Sequence, residues 1–285
     1  MSSALPNETL RIPNIIHFVF GLSDDPADRQ LFLFHFLAVK SAAMVNRPDR
    51  ILFHYGYEPV GEWWEQIKQL VEPRVVEVPQ HIHGKPLMHF AHKSDVLRLQ
   101  VLQEFGGIYL DLDTISVRSL APLRKHGFVI GKQTVIFPWN WKQRLKKCLL
   151  EGTGRYLRRP IEGLCNAVLL SEPNSPFMNT WLDSYKNFRS RGRDEYWCEH
   201  SVKLPLQLAG EHPRWVHIAS EWAFHYPLFD DAGLKDLFVH TKQFPKAYVH
   251  HLWNSSSRES YLNALTIETI KAQDTTYNVI ARRYL

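Results

Sequence analysis

Apolar runs and helical spacings alternate along the first half of the chain. Short apolar, β-rich runs predict strands at residues 12–20, 51–55, 74–78, 108–112, 115–120 and 128–131. Apolar residues at helical spacing predict helices at residues 31–45, 60–71, 92–105 and 175–188. Because strands and helices alternate, we expect an α/β fold with a Rossmann-like, mostly parallel sheet and helices on both faces.

Two stretches show little periodicity. Residues 136–165 and 189–215 are rich in Trp, Arg and Pro, and they predict no regular element. The length of 285 residues suits one large domain with a small appended lobe. We therefore expect one domain over residues 1–260, with an acceptor-side insertion within 136–215, and a helical cap over 261–285.

Composition narrows the classes of partner. The net charge of +5 suits an anionic ligand such as a nucleoside diphosphate, or an acidic membrane face. Basic residues cluster within 144–159, where we expect either a solvated helix face or peripheral contact with acidic lipid. Dense Lys/Arg runs with interleaved aromatics are missing, so we expect no nucleic-acid partner.

The three cysteines are far apart in sequence. Cys148, Cys165 and Cys198 show no CxxC spacing, and an odd number favours reduced thiols over a disulfide framework. The chain shows no apolar leader and no run of about 18 apolar residues. These patterns predict a cytoplasmic protein, with at most peripheral contact with a membrane.

Two aspartates close the predicted strand at 108–112. The preceding helix, 92–105, is ended by Gly106 and Gly107, since glycine adopts positive φ at little cost. Side chains alternate along a strand, so Tyr109, Asp111 and Asp113 are expected on one face. Two carboxylates side by side are unfavourable unless a cation compensates them, and oxygen ligands suit Mg²⁺ or Mn²⁺.

Asp95 and Arg98 stand three residues apart on the helix at 92–105, and hence on one of its faces. A surface ion pair is one interpretation of this spacing. Their neighbours Val96, Leu97 and Leu99 indicate a largely buried helix, which favours a role in a binding site.

One block of the chain reads Ser94-Asp95, then Arg98, then Gly106-Gly107-Ile108-Tyr109-Leu110-Asp111-Leu112-Asp113. It resembles the DXD sugar-binding region of glycosyltransferase family 32, which includes α-1,4-galactosyltransferases and fungal mannosyltransferases, and more distantly the glucosylating clostridial toxins. Looser similarity extends over residues 12–257. The resemblance implies a GT-A fold and a metal-dependent hexosyl transfer.

The resemblance also implies roles for individual residues. Asp111, Asp113 and Arg98 would be catalytic, and Asp111, Asp113 and His251 would hold Mn²⁺ or Mg²⁺, with His250 as the alternative histidine. The donor would contact a wider set: Val19, Phe20, Asp95, Arg98, Tyr109, Asp111, Asn166, Asn254 and Ser256. The resemblance implies no nucleophile. If a carboxylate lies near the anomeric carbon, Glu221 is the candidate.

The reaction implied is a retaining transfer of a hexose from a nucleotide sugar to a glycan or glycolipid hydroxyl. UDP-hexose is favoured and GDP-mannose stays open, as does a protein acceptor like that of the toxins. Two other classes also remain. An aspartate-nucleophile phosphatase would need its Thr one position later than Thr114, and a catalytically inactive sugar-binding module would keep the same residues.

Overall fold

A seven-stranded sheet is the centre of the computed structural model, which describes residues 10–135, 149 and 161–285. The strands of the described residues are β1 Ile15–Phe20, β2 Arg50–Tyr55, β3 Glu72–Val75, β4 His81–Ile82, β5 Lys85–Pro86, β6 Gly107–Leu110, β7 Thr114–Ser116, β8 Phe128–Val135, β9 Ile161–Ser171, β10 His217–Ala219 and β11 Val249–His251. Two short ladders, β4–β5 and β7–β11, lie outside the central sheet.

The order of the central sheet is β10-β8-β9-β6-β1-β2-β3. Every neighbouring pair is parallel except those made by β9, which runs antiparallel to both β6 and β8. The sheet is therefore mostly parallel, as predicted. Because β1 and β6 are parallel neighbours, their carboxyl ends lie at the same edge, where open α/β sheets bind ligands.

The described residues form ten α-helices: α1 Leu33–Asn46, α2 Glu62–Lys68, α3 Phe90–Phe105, α4 Pro176–Ser184, α5 Leu204–Glu211, α6 Glu221–Phe224, α7 Asp231–Phe238, α8 Asn254–Ser257, α9 Ile267–Ala272 and α10 Thr276–Ala281. Helices α1 and α2 pack with Ile16 and Phe18 on one face of the sheet. Helices α3 and α4 pack with Tyr109 on the other face. This arrangement confirms the predicted fold class, an α/β domain of GT-A type.

Strand β9 lies in a stretch for which the sequence predicted no regular structure. Residues 163–171 are all buried, because β9 is an inner strand of the sheet and is covered on both faces. A strand buried on both faces shows no alternation of apolar and polar residues, which removes the signal. Both β9 and α4 fall within 136–215, and the acceptor-side role of that region stays a prediction.

The end of the chain packs behind the candidate site. Ile270, Tyr277 and Ala281 pack with α1 and with Ile115 of β7. The hydroxyl of Tyr284 donates a hydrogen bond to the carbonyl of Ser116 at 2.8 Å. Residues 261–285 thus support β7, although their status as a separate cap stays a prediction. None of the described helices is both long and apolar enough to cross a bilayer.

Candidate active site

Asp111 and Asp113 follow β6 at the ligand-binding edge of the sheet. The strand was predicted to run to residue 112, but it ends at Leu110, and Leu112 and Asp113 form a turn before β7. Tyr109 and Asp111 share a side as predicted, since the Tyr109 hydroxyl donates to Oδ1 of Asp111 at 2.6 Å. The Thr114 hydroxyl donates to the Asp111 carbonyl at 2.7 Å and closes the turn. The turn, and not strand alternation, keeps Asp113 near Asp111.

Strand β11 brings a histidine to these carboxylates. Nε2 of His251 lies 3.2 Å from Oδ2 of Asp113. The backbone N–H of Asn254 donates to the same oxygen at 2.7 Å. His250 lies elsewhere, with Nδ1 at 3.1 Å from the carbonyl oxygen of Tyr226. The structure therefore brings His251, and not His250, next to the aspartates.

Arg98 of α3 is the buried cation of the site, with 6% of its surface exposed. Nη1 lies 3.0 Å from Oδ1 of Asp111 and donates to the carbonyl of Asn166 at 2.9 Å. Nη2 donates to the Ser94 hydroxyl at 3.0 Å and lies 3.4 Å from Oδ1 of Asp95. The Asn166 amide donates to the same Asp95 oxygen at 2.7 Å. Asp95 and Asn166 thus orient Arg98 rather than face the cavity.

The charges of the site perturb one another. Burial raises the pKa of Asp111, Asp113 raises it further, and Arg98 opposes both. Burial also acts to raise the pKa of Asp113, but His251 outweighs it and lowers that pKa to about 2. Burial disfavours the charged form of His251, yet Asp113 raises the pKa of its imidazole above the ordinary value. Two buried carboxylates of this kind attract positive charge, and the guanidinium of Arg98 supplies part of it at Asp111.

These side chains line a cavity of about 340 Å³. The predicted site residues in its lining are Val19, Phe20, Arg98, Asp111, Asp113, His251 and Asn254. Tyr109, Asp95 and Asn166 lie behind it as buried supports. Ser256, predicted as a donor contact, is not part of the lining, whereas its neighbour Ser255 is. Glu221 does not line the cavity either.

His35 of α1 also lines the cavity, and sequence reasoning missed it. Its Nδ1 accepts the backbone N–H of Phe32 at 2.9 Å, so the proton of the neutral ring resides on Nε2. Burial lowers the pKa of His35 to about 3, which keeps the ring neutral. A single histidine in an apolar helix is ordinarily structural, so only the position of His35 in the cavity lining indicates a functional role. The cavity also contains Asp28 and Phe90, which carried no sequence signal.

The residues present fit a divalent cation. One ligand-type atom from each of Asp111, Asp113 and His251 lies within 4.8 Å of the others. The side-chain oxygen of Asn254 is buried beside them without a hydrogen-bond partner among the described residues. Two carboxylates, an imidazole and a free amide oxygen form a mainly oxygen donor set, which suits Mg²⁺ or Mn²⁺.

Comparison with known proteins identifies the family of the chain. Residues 38–130 match the profile of the family described as "Glycosyltransferase sugar-binding region containing DXD motif". The chain is 34% identical over 280 residues to Glucan organizing enzyme 1 of Cryptococcus neoformans var. grubii serotype A, covering 96% of this chain and 71% of the relative. The chain belongs to this family of DXD glycosyltransferases. Because the family is one of glycosyltransferases, the phosphatase and the inactive sugar-binding module no longer stand as alternative functions.

Three glycosyltransferases are among the solved structures to which the chain is similar. Galactosyltransferase LgtC, in complex with donor and acceptor sugar analogs, is 14% identical, with a TM-score of 0.41 and coverage of 95% of this chain and 96% of that one. Mouse xyloside xylosyltransferase 1 is 14% identical, with a TM-score of 0.42 and coverage of 85% and 97%. GlyE of Streptococcus pneumoniae TIGR4 is 13% identical, with a TM-score of 0.47 and coverage of 96% and 60%.

Proposed function

We propose that this glycosyltransferase moves a hexose from a UDP-hexose to a hydroxyl of a glycan or glycolipid, with retention of configuration. Mn²⁺ or Mg²⁺ would be held by Asp111, Asp113 and His251. The observation that carries the proposal is the meeting of these three side chains with Arg98 in one cavity. A nucleotide diphosphate brings the negative charge that such a cation and guanidinium would bind.

The lining and the volume of the cavity support its proposed role as the donor site. Val19 and Phe20 stand at the carboxyl end of β1 and line the cavity, where they offer apolar surface for the base. Phe20 packs at 5.4 Å from the His35 ring, so its ring is held in place. The volume of about 340 Å³ falls in the range of small-molecule sites.

The proposed cation and Arg98 would each stabilise the diphosphate that leaves when its bond to the hexose breaks. A divalent cation at the aspartates would supply Lewis-acid stabilisation of the leaving diphosphate. Arg98 remains charged, because Asp111, Tyr109 and Asp95 outweigh the burial of its guanidinium and raise its pKa. Its fixed hydrogen bonds to Asn166 and Ser94 pre-organise that charge before the donor binds.

Retention is proposed on the family resemblance, and a same-face displacement requires no protein nucleophile. The acceptor is proposed to be a glycan or glycolipid, with a protein hydroxyl as the alternative outcome of an acceptor assay. The basic cluster within 144–159, expected at acidic lipid, lies outside the described residues. Free thiols at Cys165 and Cys198 support a reducing, cytosol-like compartment as part of the proposal.

A donor screen tests the proposal. Melting temperatures are measured with UDP-glucose, UDP-galactose, UDP-N-acetylglucosamine and GDP-mannose, each with and without Mn²⁺. A ligand that binds only the native state raises the melting temperature, by an amount set by its concentration and affinity. We expect a metal-dependent rise with one UDP-hexose, followed by release of UDP on addition of an acceptor. A rise with GDP-mannose alone would change the donor, and no metal-dependent rise with any donor would refute the proposed site.

A further inference from the structure

His225 is a buried histidine whose two ring nitrogens both lack a hydrogen-bond partner among the described residues. The residue is fully buried, with 0% of its surface exposed. Buried polar groups almost always have a partner, because leaving one unpaired costs about 1–3 kcal/mol. An imidazole with neither nitrogen satisfied therefore indicates a bound species in its surroundings.

Two other ligand-type side chains converge on His225. Cys165 of β9 and His251 of β11 each offer an atom within 4.8 Å of a His225 nitrogen and of one another. His251 adds a third unpartnered atom, since its Nδ1 is also buried without a hydrogen bond among the described residues. The cluster Cys165–His225–His251 thus brings together one sulfur and two imidazoles, with unsatisfied nitrogens on both rings.

Strand β8 leaves room for this cluster. A Cβ at Gly131 would lie 2.7 Å from Nε2 of His225 and 2.6 Å from the Phe224 ring. The strand is also irregular at this point, with a shift in its pairing to β9 between Ile130 and Gly131. The absence of a side chain at position 131 lets the imidazole approach the sheet on which Cys165 lies.

We propose that Cys165, His225 and His251 form a second cation site, specific for a soft ion such as Zn²⁺. Thiolate and imidazole are the ligands that Zn²⁺ prefers, whereas the carboxylates of the neighbouring site suit harder ions. Zn–S and Zn–N bonds of about 2.3 and 2.0–2.1 Å hold ligand atoms roughly 3.3–3.7 Å apart. The three ligand atoms lie within 4.8 Å of one another, so each pair needs to close in by at most about 1.5 Å. On binding, the Sγ–H bond of Cys165 breaks, an Sγ–Zn bond forms and the proton leaves to solvent.

His251 belongs to both sites, and this makes them mutually exclusive. A neutral imidazole has one nitrogen with a free lone pair, while the other carries a proton. His251 therefore ligates one cation at a time. A zinc ion held by Cys165 and His225 removes His251 from the Asp111–Asp113 site, and so inhibits transfer. The inhibition rests on the proposed function, whereas zinc binding itself does not.

Cobalt(II) tests the binding, since it occupies zinc sites and gives a near-ultraviolet charge-transfer band when a thiolate ligates it. We expect this band in the wild-type chain and in Asp113→Asn, and its loss in Cys165→Ser. Cys198→Ser and Cys148→Ser are the matched controls and should keep the band; Cys198 is exposed and Cys148 lies outside the described residues. Melting temperatures verify that each variant is folded. No band in the wild type, or a band that survives Cys165→Ser, overturns the site.

A second arm measures transfer with Mn²⁺ at increasing Zn²⁺. We expect Zn²⁺ to raise the Mn²⁺ concentration for half-maximal activity by at least ~10-fold in the wild type. Cys165→Ser and His225→Gln should retain basal activity and lose this effect. Equal inhibition by Zn²⁺ in the wild type and in both variants overturns the proposal that the two cation sites are mutually exclusive. If the cobalt band follows Cys165 but no donor supports transfer, the second cation site stands and the proposed function fails.

Discussion

His251 lies directly opposite Thr114 in the antiparallel β7–β11 ladder. Because Thr114 follows Asp113 in the chain, this pairing sets Nε2 of His251 at 3.2 Å from Oδ2 of Asp113. The carbonyl of Asp113 also accepts the backbone N–H of Leu252 at 2.7 Å. The candidate cation site is therefore closed by β11, although its carboxylates lie directly after β6 of the central sheet.

Asp113→Asn should abolish transfer without unfolding the protein. The pKa of Asp113 is lowered to about 2, so its carboxylate is charged at neutral pH. Asparagine can still accept the N–H of Asn254 but cannot supply the charge. We expect kcat/KM to fall at least ~100-fold, measured as release of nucleoside diphosphate.

Glu65→Gln is the matched control for this loss. Glu65 pairs with Lys68 on an exposed face of α2, where an ion pair contributes little. Its kcat/KM should equal that of the wild type. Full activity of Asp113→Asn in the presence of Mn²⁺ would exclude Asp113 as a cation ligand.

Arg98→Met should destabilise the protein and make its stability depend on Mn²⁺. The substitution leaves Asp95 and Asp111 as buried charges without their common partner, at a cost of about 3–5 kcal/mol. A cation bound at Asp111 would again place positive charge next to the carboxylate of Asp111. The difference in the free energy of unfolding between wild type and variant should therefore narrow when Mn²⁺ is added.

Urea denaturation with and without Mn²⁺ measures this effect. Arg189→Met is the control, since Arg189 pairs with Glu199 on the surface and far along the chain from the aspartates. It should lose little stability and show no dependence on the metal beyond that of the wild type. A metal-independent deficit in Arg98→Met would mean that Asp111 does not bind the cation.

Local patterns predicted the part of the site that lies on consecutive residues. Helix α3, its glycine end and the strand before Asp111 follow from apolar spacing and from Gly106, whose φ is +62°. The placement of Tyr109 beside Asp111 follows from strand alternation. Strand alternation was the wrong reason for the position of Asp113, because the strand ends at Leu110, two residues before its predicted end.

The rest depends on contacts between distant segments. His35 reaches the cavity only because α1 packs beside β1, and its role at the start of the helix gives no functional signal. Cys165 and His225 come from separate elements, so neither residue indicates a cluster by its spacing. Strand β9 was missed for the related reason that complete burial removes alternation.

Acid should destabilise the protein through two buried histidines on neighbouring strands of the central sheet. Nδ1 of His17 lies 3.1 Å from Nε2 of His54, and Nε2 of His17 lies 2.9 Å from the carbonyl oxygen of Gly106. Burial lowers the pKa of His17 to about 4 and that of His54 to about 3, from the ordinary 6.5. Below pH 6.5 the unfolded chain binds protons that the folded chain does not, so the free energy of unfolding falls as the pH falls.

The size of this loss is measurable by urea denaturation. Between about pH 6.5 and pH 5, each such histidine contributes a loss of up to ~2 kcal/mol. His54→Gln removes one of the two groups and should reduce the loss between about pH 7 and pH 5 by up to that amount. An unchanged pH dependence in His54→Gln would show that the pKa of His54 does not differ between the folded and unfolded chains.

Gly107 and Gly210 should respond in opposite directions to substitution by alanine. Gly107 begins β6 with φ of +104°, and a Cβ there would collide with the carbonyl oxygen of Ile15 and lie 3.1 Å from Nε2 of His17. Gly210 lies in α5, where a Cβ would meet open space. Gly107→Ala should therefore lower the free energy of unfolding by at least ~2 kcal/mol. Gly210→Ala should raise it by up to ~1 kcal/mol.

The same pair of variants separates stability from catalysis. Strand β6 leads directly to Asp111, so a displaced Gly107 also shifts the carboxylates relative to Arg98 and His251. We expect Gly107→Ala to lose activity even at temperatures where it is fully folded, because misplacement by about 1 Å can cost ~100-fold in rate. Gly210→Ala should keep wild-type kcat/KM. Wild-type activity in folded Gly107→Ala would show that the position of β6 does not control the geometry of the cation site.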